Sequence, residues 1–231
     1  MSTGSDIDAV HTIFSQPQTK QYKMGKDHPN GIGKESLDIA RDAKRERARI
    51  FGANLQKLEE VRSISSKTAI KELGIDPSPY FRIYLPGKYC PNPYLLSDMA
   101  TLFRTHPSRL ILSPEEFRNM MTALAGRYRI GPDERRDTGP TWDARFLLFI
   151  PDQILALRKR RRLRIVQASG RAGVQHATWR RYEKKTGNLP QTRLWPAIAS
   201  ALETTLLELT TPPDQVVPIV RRLMQDNAIL F

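Results

Sequence analysis

Residues 156–190 read ALRKRRRLRIVQASGRAGVQHATWRRYEKKTGNLP, and LWPAIASALE follows at 194–203. Six of the seven residues from 158 to 164 are basic. Ile154, Leu155 and Leu157 predict a helix that ends in this arginine run. A short second helix is expected over 163–172, a turn at Gly173, and a third helix over 175–183. Residues 187–190 (GNLP) break the chain before the apolar series Leu194, Ile198, Ala201 and Leu202. Trp179 and Tyr182 stand three residues apart, so they point to one side of the third helix, toward a core. Gln175, His176, Ala177, Thr178 and Arg181 are left at its exposed start and outer face.

Upstream, the same order of elements occurs once before. Leu37, Ala40, Ala43, Ile50, Ala53, Leu55 and Leu58 recur at three- and four-residue steps and predict a helix over 35–62, with Gly52 its one breaker. Ser65 or Ser66 can cap a short helix that Gly74 ends in a left-handed turn. Asp76-Pro77 restarts a helix carrying Tyr80, Phe81, Arg82 and Tyr84, and Pro86-Gly87 breaks it. A further apolar helix runs through Leu95, Leu96, Met99, Ala100 and Phe103. Gly74 and Gly173 occupy equivalent places, 99 residues apart, and a duplicated helical unit accounts for the length of the chain.

Between and after these units the reading is simpler. A capping box at Ser113-Pro114-Glu115-Glu116 opens a helix with Phe117, Met120, Met121 and Leu124 on one stripe, which reads as core. Residues 131–140 (GPDERRDTGP) form the clearest linker. The tail carries a capped helix with Val216, Val217, Ile219, Val220 and Leu223, and ends in the apolar residues 228–231. The expected organisation is a flexible arm over 1–33, a first unit over 34–104, a helical connector over 105–150, a second unit over 151–206, and a C-terminal helix over 207–231 able to dimerise the chain.

Composition bounds the partners. The 231 residues carry a net charge of +13, with a sequence pI near 10.1 and a mean hydropathy of −0.49. Such an excess implies a polyanion: DNA, RNA or an acidic membrane surface. It is focused, with eleven Lys and Arg against two acids over 151–190, and three Arg against four acids over 191–231. No apolar run approaches the roughly 20 residues of a membrane helix, and the polar start MSTGSDIDAV is unlike a signal peptide. Cys90 is the only cysteine, so no internal disulfide can form and a reducing cytoplasm is the expected compartment. His11, His28, His106 and His176 lack ligand spacing, and no phosphate-binding loop, nucleophile elbow or acidic metal cluster occurs. The reading is therefore no metal, no cofactor and no enzyme.

Residues 154–205 resemble the lambda-repressor-like (Cro-type, or Xre) helix-turn-helix family. Arg158 stands where that family places an arginine on its first helix, Leu163 opens the second helix, Gly173-Val174 make the turn, and Glu183 ends the recognition helix. The resemblance implies a structural pair between Arg158 and Glu183. Residues 51–103 are similar at Gly74-Ile75 and Arg82, but Glu59 and Tyr84 stand where the pair should be, and Ile70 replaces a small residue. Together the matches cover a little under half the chain. They imply an all-α fold of two lambda-repressor-like bundles joined by a helical linker segment.

A recognition helix must enter a major groove about 12 Å wide and match base edges. On this reading Gln175, His176, Ala177, Thr178 and Arg181 read bases, with Ser78 and Arg82 as first-unit counterparts. Arg160, Arg161, Arg162, Arg164, Arg180, Lys184 and Lys185 grip phosphate, as do Lys67 and Lys88 in the first unit. The expectation is a double-stranded DNA-binding transcriptional regulator of a bacterial, phage or plasmid setting. It would act by operator occupancy as a homodimer, with RNA polymerase as a contact. A plasmid, phage or conjugation accessory factor (partition, replication or transfer) is the alternative, and an RNA-binding basic protein is a further one.

Overall fold

A computed structural model describes residues 34–85, 89–131, 139–184 and 188–230, and all regular structure within them is helical. The arm over 1–33, the centre of the expected linker at 132–138, Lys88 and Lys185 lie outside the described residues. The chain divides into Met1–Arg41 and Asp42–Phe231. Of the first unit only the opening turns of the first helix are described, and all that follows concerns the second.

Six helices run in order: α1 (Lys34–Arg62), α2 (Ser66–Leu73), α3 (Pro77–Tyr84), α4 (Pro93–Leu102), α5 (Pro107–Ile111) and α6 (Pro114–Tyr128). After a 3-10 turn at Ala144–Phe149 come α7 (Ile150–Arg160), α8 (Ile165–Arg171), α9 (His176–Tyr182), α10 (Trp195–Ala201), α11 (Leu206–Thr210) and α12 (Pro213–Leu230). Local sequence sets the boundaries. Ser65, Asn92, Ser113 and Thr205 accept backbone N–H groups at the starts of α2, α4, α6 and α11. Gly74 (φ 61°) and Gly173 (φ 67°) turn left-handed after α2 and α8, a conformation that costs a side chain roughly 1–2 kcal/mol. Gly52 does not break α1. A Cβ there would stand 2.7 Å from the Ile83 carbonyl oxygen, so the glycine lets α1 and α3 approach closely.

The duplication reaches further than four helices. At a constant offset of 99 residues, α2, α3, α5 and α6 begin where α8, α9, α11 and α12 begin. Asn54 donates to the carbonyls of Arg109 and Leu112, and Gln153, its counterpart, donates to those of Glu208 and Thr211. Arg62 donates to the Arg104 carbonyl, as Arg161 does to that of Glu203. Residues 107–128, expected to be a connector, are thus the fifth and sixth helices of the first copy, and 206–230 are those of the second.

Equivalent helices also meet each other, α5 against α11 and α6 against α12. Arg127 and Tyr128 of the first copy bind Glu208 of the second. In the reciprocal place burial lowers the pKa of Arg109 of the first copy to about 10, and the charge of Asp226 of the second opposes that shift. Equivalent helices that meet each other mark two-fold packing. The chain is built as a fused dimer.

One core runs from Phe51 to Leu223 through both copies. The expectation of two bundles on a linker gives way to this single packed unit. The reason is that the apolar stripes of α6 and α12 pack against each other across the copies. Phe117, Met120, Met121 and Leu124 are buried, as are Val216, Ile219, Val220 and Leu223. The stripe of α12 is therefore closed inside the chain, which removes it as the surface for a second chain. Between the copies, Trp142 donates to Ser97 at 2.9 Å, Thr192 to the Pro91 carbonyl at 2.6 Å, and buried His106 meets Thr211 at 3.1 Å.

Candidate nucleic-acid interface

The arginine run at the end of α7 divides by function of its side chains. Arg158 lies in the angle between α7 and α9. Its Nε and Nη2 donate to Glu183 at 2.5 and 2.9 Å, and its Nη1 donates to the Leu163 carbonyl at 2.9 Å. Trp179, fully buried, donates its indole N–H to the same carboxylate at 2.6 Å. The pair keeps only 13% and 9% of its side-chain surface. The bond to Glu183 holds the Arg158 guanidinium above its ordinary pKa despite partial burial. This node locks the third helix of the copy against the first, with Trp179 and Tyr182 behind it in the core.

Arg161 is placed differently from the expected phosphate grip. It turns to the end of α10, where it donates to the Glu203 carbonyl at 2.7 Å and lies 3.4 Å from the Glu203 carboxylate. Arg171 binds that carboxylate from α8 at 3.0 Å. The physical reason is the left-handed turn at Glu203 (φ 53°), which leaves helix-end carbonyls facing the cations. Arg160, Arg162, Arg164, Arg180, Arg181 and Lys184 are exposed, and none forms an ion pair with a described residue. These six cations, with no ion pair among the described residues, lie on or beside α8 and α9, and exposed Lys159 is a seventh.

On α9 the outward row is Ala177, Arg180, Arg181 and Lys184, one face of a helix at steps of three and four. Gln175 at the N-cap and His176 are exposed beside it, and Thr178 is half-buried. Of the side chains expected at base edges, Ala177 and Arg181 stand in this row, which they share with Arg180 and Lys184, expected at phosphate. Two further residues belong to that surface and were missed. Lys159 is exposed within the run, and Val166 on α8 is 70% exposed amid arginines. The signal for Val166 was available: a β-branched residue at an early position of a short helix, off the stripe of Ala168 and Ala172.

The first copy builds the same frame with different chemistry. Glu59, at the position of Arg158, accepts from the Tyr80 hydroxyl at 2.6 Å and from Ser66 at 3.2 Å. Glu59 and Tyr84 stand at the positions of the Arg158–Glu183 pair. Tyr80, the counterpart of Trp179, points its hydroxyl inward to the acid, and Tyr84 reaches Ser66 at 3.5 Å. Burial and the bond to Glu59 push the Tyr80 phenol far up, and burial first, then Glu59, takes Tyr84 to about 12. Tyr80 is held as a donor to Glu59.

The outward row of α3 is Ser78, Phe81, Arg82 and Leu85, with Phe81 52% and Leu85 45% exposed. Lys67 is exposed on α2. Phe81 and Leu85 replace Arg180 and Lys184, and Val61, Ser63 and Ser65 replace Arg160, Arg162 and Arg164. Over 56–86 there are five cations and four acids, whereas over the equivalent 155–185 there are eleven cations and one acid. Ser78 and Arg82 are thus exposed side by side, but without the cationic surround of the second copy.

No group of three or more His, Cys, Asp or Glu residues able to hold a metal occurs among the described residues, and no described helix is long and apolar enough to cross a membrane. Compared with known protein families, with characterised proteins and with solved structures, the chain matches none.

Proposed function

We propose that the second copy is a double-stranded DNA-binding surface, with α9 as the helix that enters the major groove, in a chain that regulates transcription by occupying an operator. The observation that carries this reading is the surround of α9: six exposed cations without ion-pair partners among the described residues, around a short helix whose outer row is Ala177, Arg180, Arg181 and Lys184. A duplex offers one phosphate charge per roughly 1.7 Å of axis, and such a cluster of five guanidinium groups and one ammonium suits it. Within the cluster, Arg181 supplies the fork that guanine O6 and N7 accept, and Gln175 the amide that adenine N6 and N7 pair with. Val166 and Ala177 add apolar contacts for a thymine methyl. The Arg158–Glu183–Trp179 node supports the reading from behind, because it holds α9 rigidly while bases are read.

Six phosphate contacts imply a fall of binding with salt at a log–log slope of about −5. The test is selection of bound sequences from random duplexes, followed by a salt titration of the winner. An enriched motif with a slope near that value is expected. Absence of any enriched motif would leave only a sequence-blind accessory factor, and tighter binding of single-stranded or hairpin RNA than of duplex DNA would overturn the proposal.

A further inference from the structure

The fused dimer raises a question that the second copy alone does not: what the first copy does with a face made in the same frame. Its outer row on α3 carries Phe81 and Leu85 four residues apart, both substantially exposed, at the positions of Arg180 and Lys184. Isolated exposed apolar residues are ordinary, but two large ones four residues apart, Phe81 on α3 and Leu85 at its C-cap, form a patch of the kind that marks a docking site. A polyanion is the wrong occupant. Glu72 and Asp76 are exposed on the approach to α3, and neither forms an ion pair with a described residue.

The signs around the patch say what fits it. Lys67, Lys71 and Arg82 are exposed on the same two helices as Glu72 and Asp76, and these five also lack ion-pair partners among the described residues. Both charges surround one apolar pair, so the face is complementary to itself when turned about a two-fold axis, which is what an isologous contact requires. The charge of the rest of the molecule is compatible with this arrangement. Two chains of net charge +13 repel strongly through 155–185, where eleven cations face one acid, and far less through 56–86, where five cations meet four acids. The apolar stripe of α12 is buried within the chain and so offers no competing surface.

We infer that the α2–α3 face of the first copy, centred on Phe81 and Leu85, binds the same face of a second copy of this chain. Two fused dimers then join through their nearly neutral arms and carry their two cationic α9 helices outward. This inference stands on burial and charge in the first copy and does not depend on what α9 binds.

Sedimentation of the full chain without nucleic acid, from micromolar to submillimolar concentration, tests it. The wild type is expected to reach twice the chain mass. Phe81→Ser/Leu85→Ser should stay at the chain mass, and Arg180→Ser/Arg181→Ser should dimerise like the wild type. Wild-type protein that stays monomeric throughout, or a Phe81→Ser/Leu85→Ser variant that still dimerises, would overturn the inference. A second readout avoids any effect on folding. In a Cys90→Ser background, Ser78→Cys should cross-link chain to chain with a short bismaleimide, and the equivalent Ala177→Cys should not. Equal cross-linking at both positions, or at 177 alone, would also overturn it. Duplex binding is measured separately on the same variants. A monomer that binds DNA contradicts only this inference, and a dimer that binds none contradicts only the function proposed above.

Discussion

Replacing Arg158 by Met tests the node on which the position of α9 depends. The substitution keeps the bulk of the side chain but removes two bonds to Glu183 and one to the Leu163 carbonyl. Glu183 would keep 9% of its side-chain surface and one remaining donor, the Trp179 indole. A carboxylate left without its cation in such a site costs about 3–5 kcal/mol, against at most about 1 kcal/mol for an exposed pair. At about 2–4 °C per kcal/mol for a domain of this size, the melting temperature should fall by roughly 6–20 °C. Glu183→Met should cost a similar amount, since it strands both the guanidinium and the indole N–H. The double variant strands no ion and leaves only the indole N–H and the Leu163 carbonyl without these partners, at about 1–3 kcal/mol for each buried group, so the single effects should not add and the cycle should give a favourable coupling. Urea unfolding is a direct assay, because Trp142, Trp179 and Trp195 are all buried and report the transition by fluorescence. A loss below about 1 kcal/mol for Arg158→Met, or additive single effects, would refute the claim that this pair is a buried lock.

Three further outcomes follow from other parts of the fold. Burial pulls the His106 pKa down to about 3, against about 6.5 when unfolded, so stability is complete above pH 6.5 and declines as pH falls toward 3, by up to about 1.4 kcal/mol per unit. His106→Gln should flatten that window in pH-dependent urea unfolding, and an unchanged slope would show that His106 does not carry it. Burial opposes the charge of Glu208, but Arg127 and the Thr205 backbone and hydroxyl outweigh it and hold the carboxyl below its ordinary value. The stability this gives is present above about pH 4.3 and lost as pH falls through the folded pKa, so Glu208→Gln should be less stable than wild type at neutral pH and converge with it in acid. Gly173→Ala meets no atom within 4 Å but keeps φ at 67°, so it should destabilise by roughly 1–2 kcal/mol. Gly126→Ala, in open helix, should stabilise by about 0.5–1 kcal/mol. Equal effects of the two substitutions in thermal melts would show that backbone conformation is not the cause.

Much of this architecture is readable in the chain itself. The caps at Ser65 and Ser113, the left-handed glycines and the 99-residue offset between them are local signals, and they set the helices where they are found. The extent of the repeat was harder to see. The fifth helices start at Pro107 and Leu206, and their N-caps are His106 and Thr205, two unlike residues that serve the same turn. The repeat survives there in carbonyls, which Asn54 and Gln153 reach alike, and backbone groups leave no mark in a sequence. The tail stripe at Val216, Ile219, Val220 and Leu223 reads equally well as an open dimer face or a closed core. Only the presence of α6 opposite decides between them.

Within the candidate interface, side-chain type predicted the exposed row of α9 but not how the arginine run would divide. Arg161 and Arg162 are adjacent and chemically identical, yet one is drawn to the end of α10 and the other is left without an ion pair among the described residues. The difference arises from the backbone turning left-handed at Arg162 (φ 53°), which sends consecutive side chains in different directions. The partner of Glu59 is hidden in the sequence for a similar reason. Tyr80 and Tyr84 both lie on α3 within reach of α1, and the buried position of Tyr80 makes it the donor.

On the function proposed above, one arm of the duplicated fold carries the nucleic-acid contact and the other does not. Titrating fluorescent duplex with Arg180→Ala/Arg181→Ala, and with the equivalent pair Phe81→Ala/Arg82→Ala, tests it most directly. Arg180→Ala/Arg181→Ala should weaken binding at least tenfold and reduce the salt slope by about 2, while Phe81→Ala/Arg82→Ala should leave the affinity of a single site and its slope at the wild-type values. Equal losses in the two variants, or a loss only in the Phe81→Ala/Arg82→Ala protein, would contradict the account.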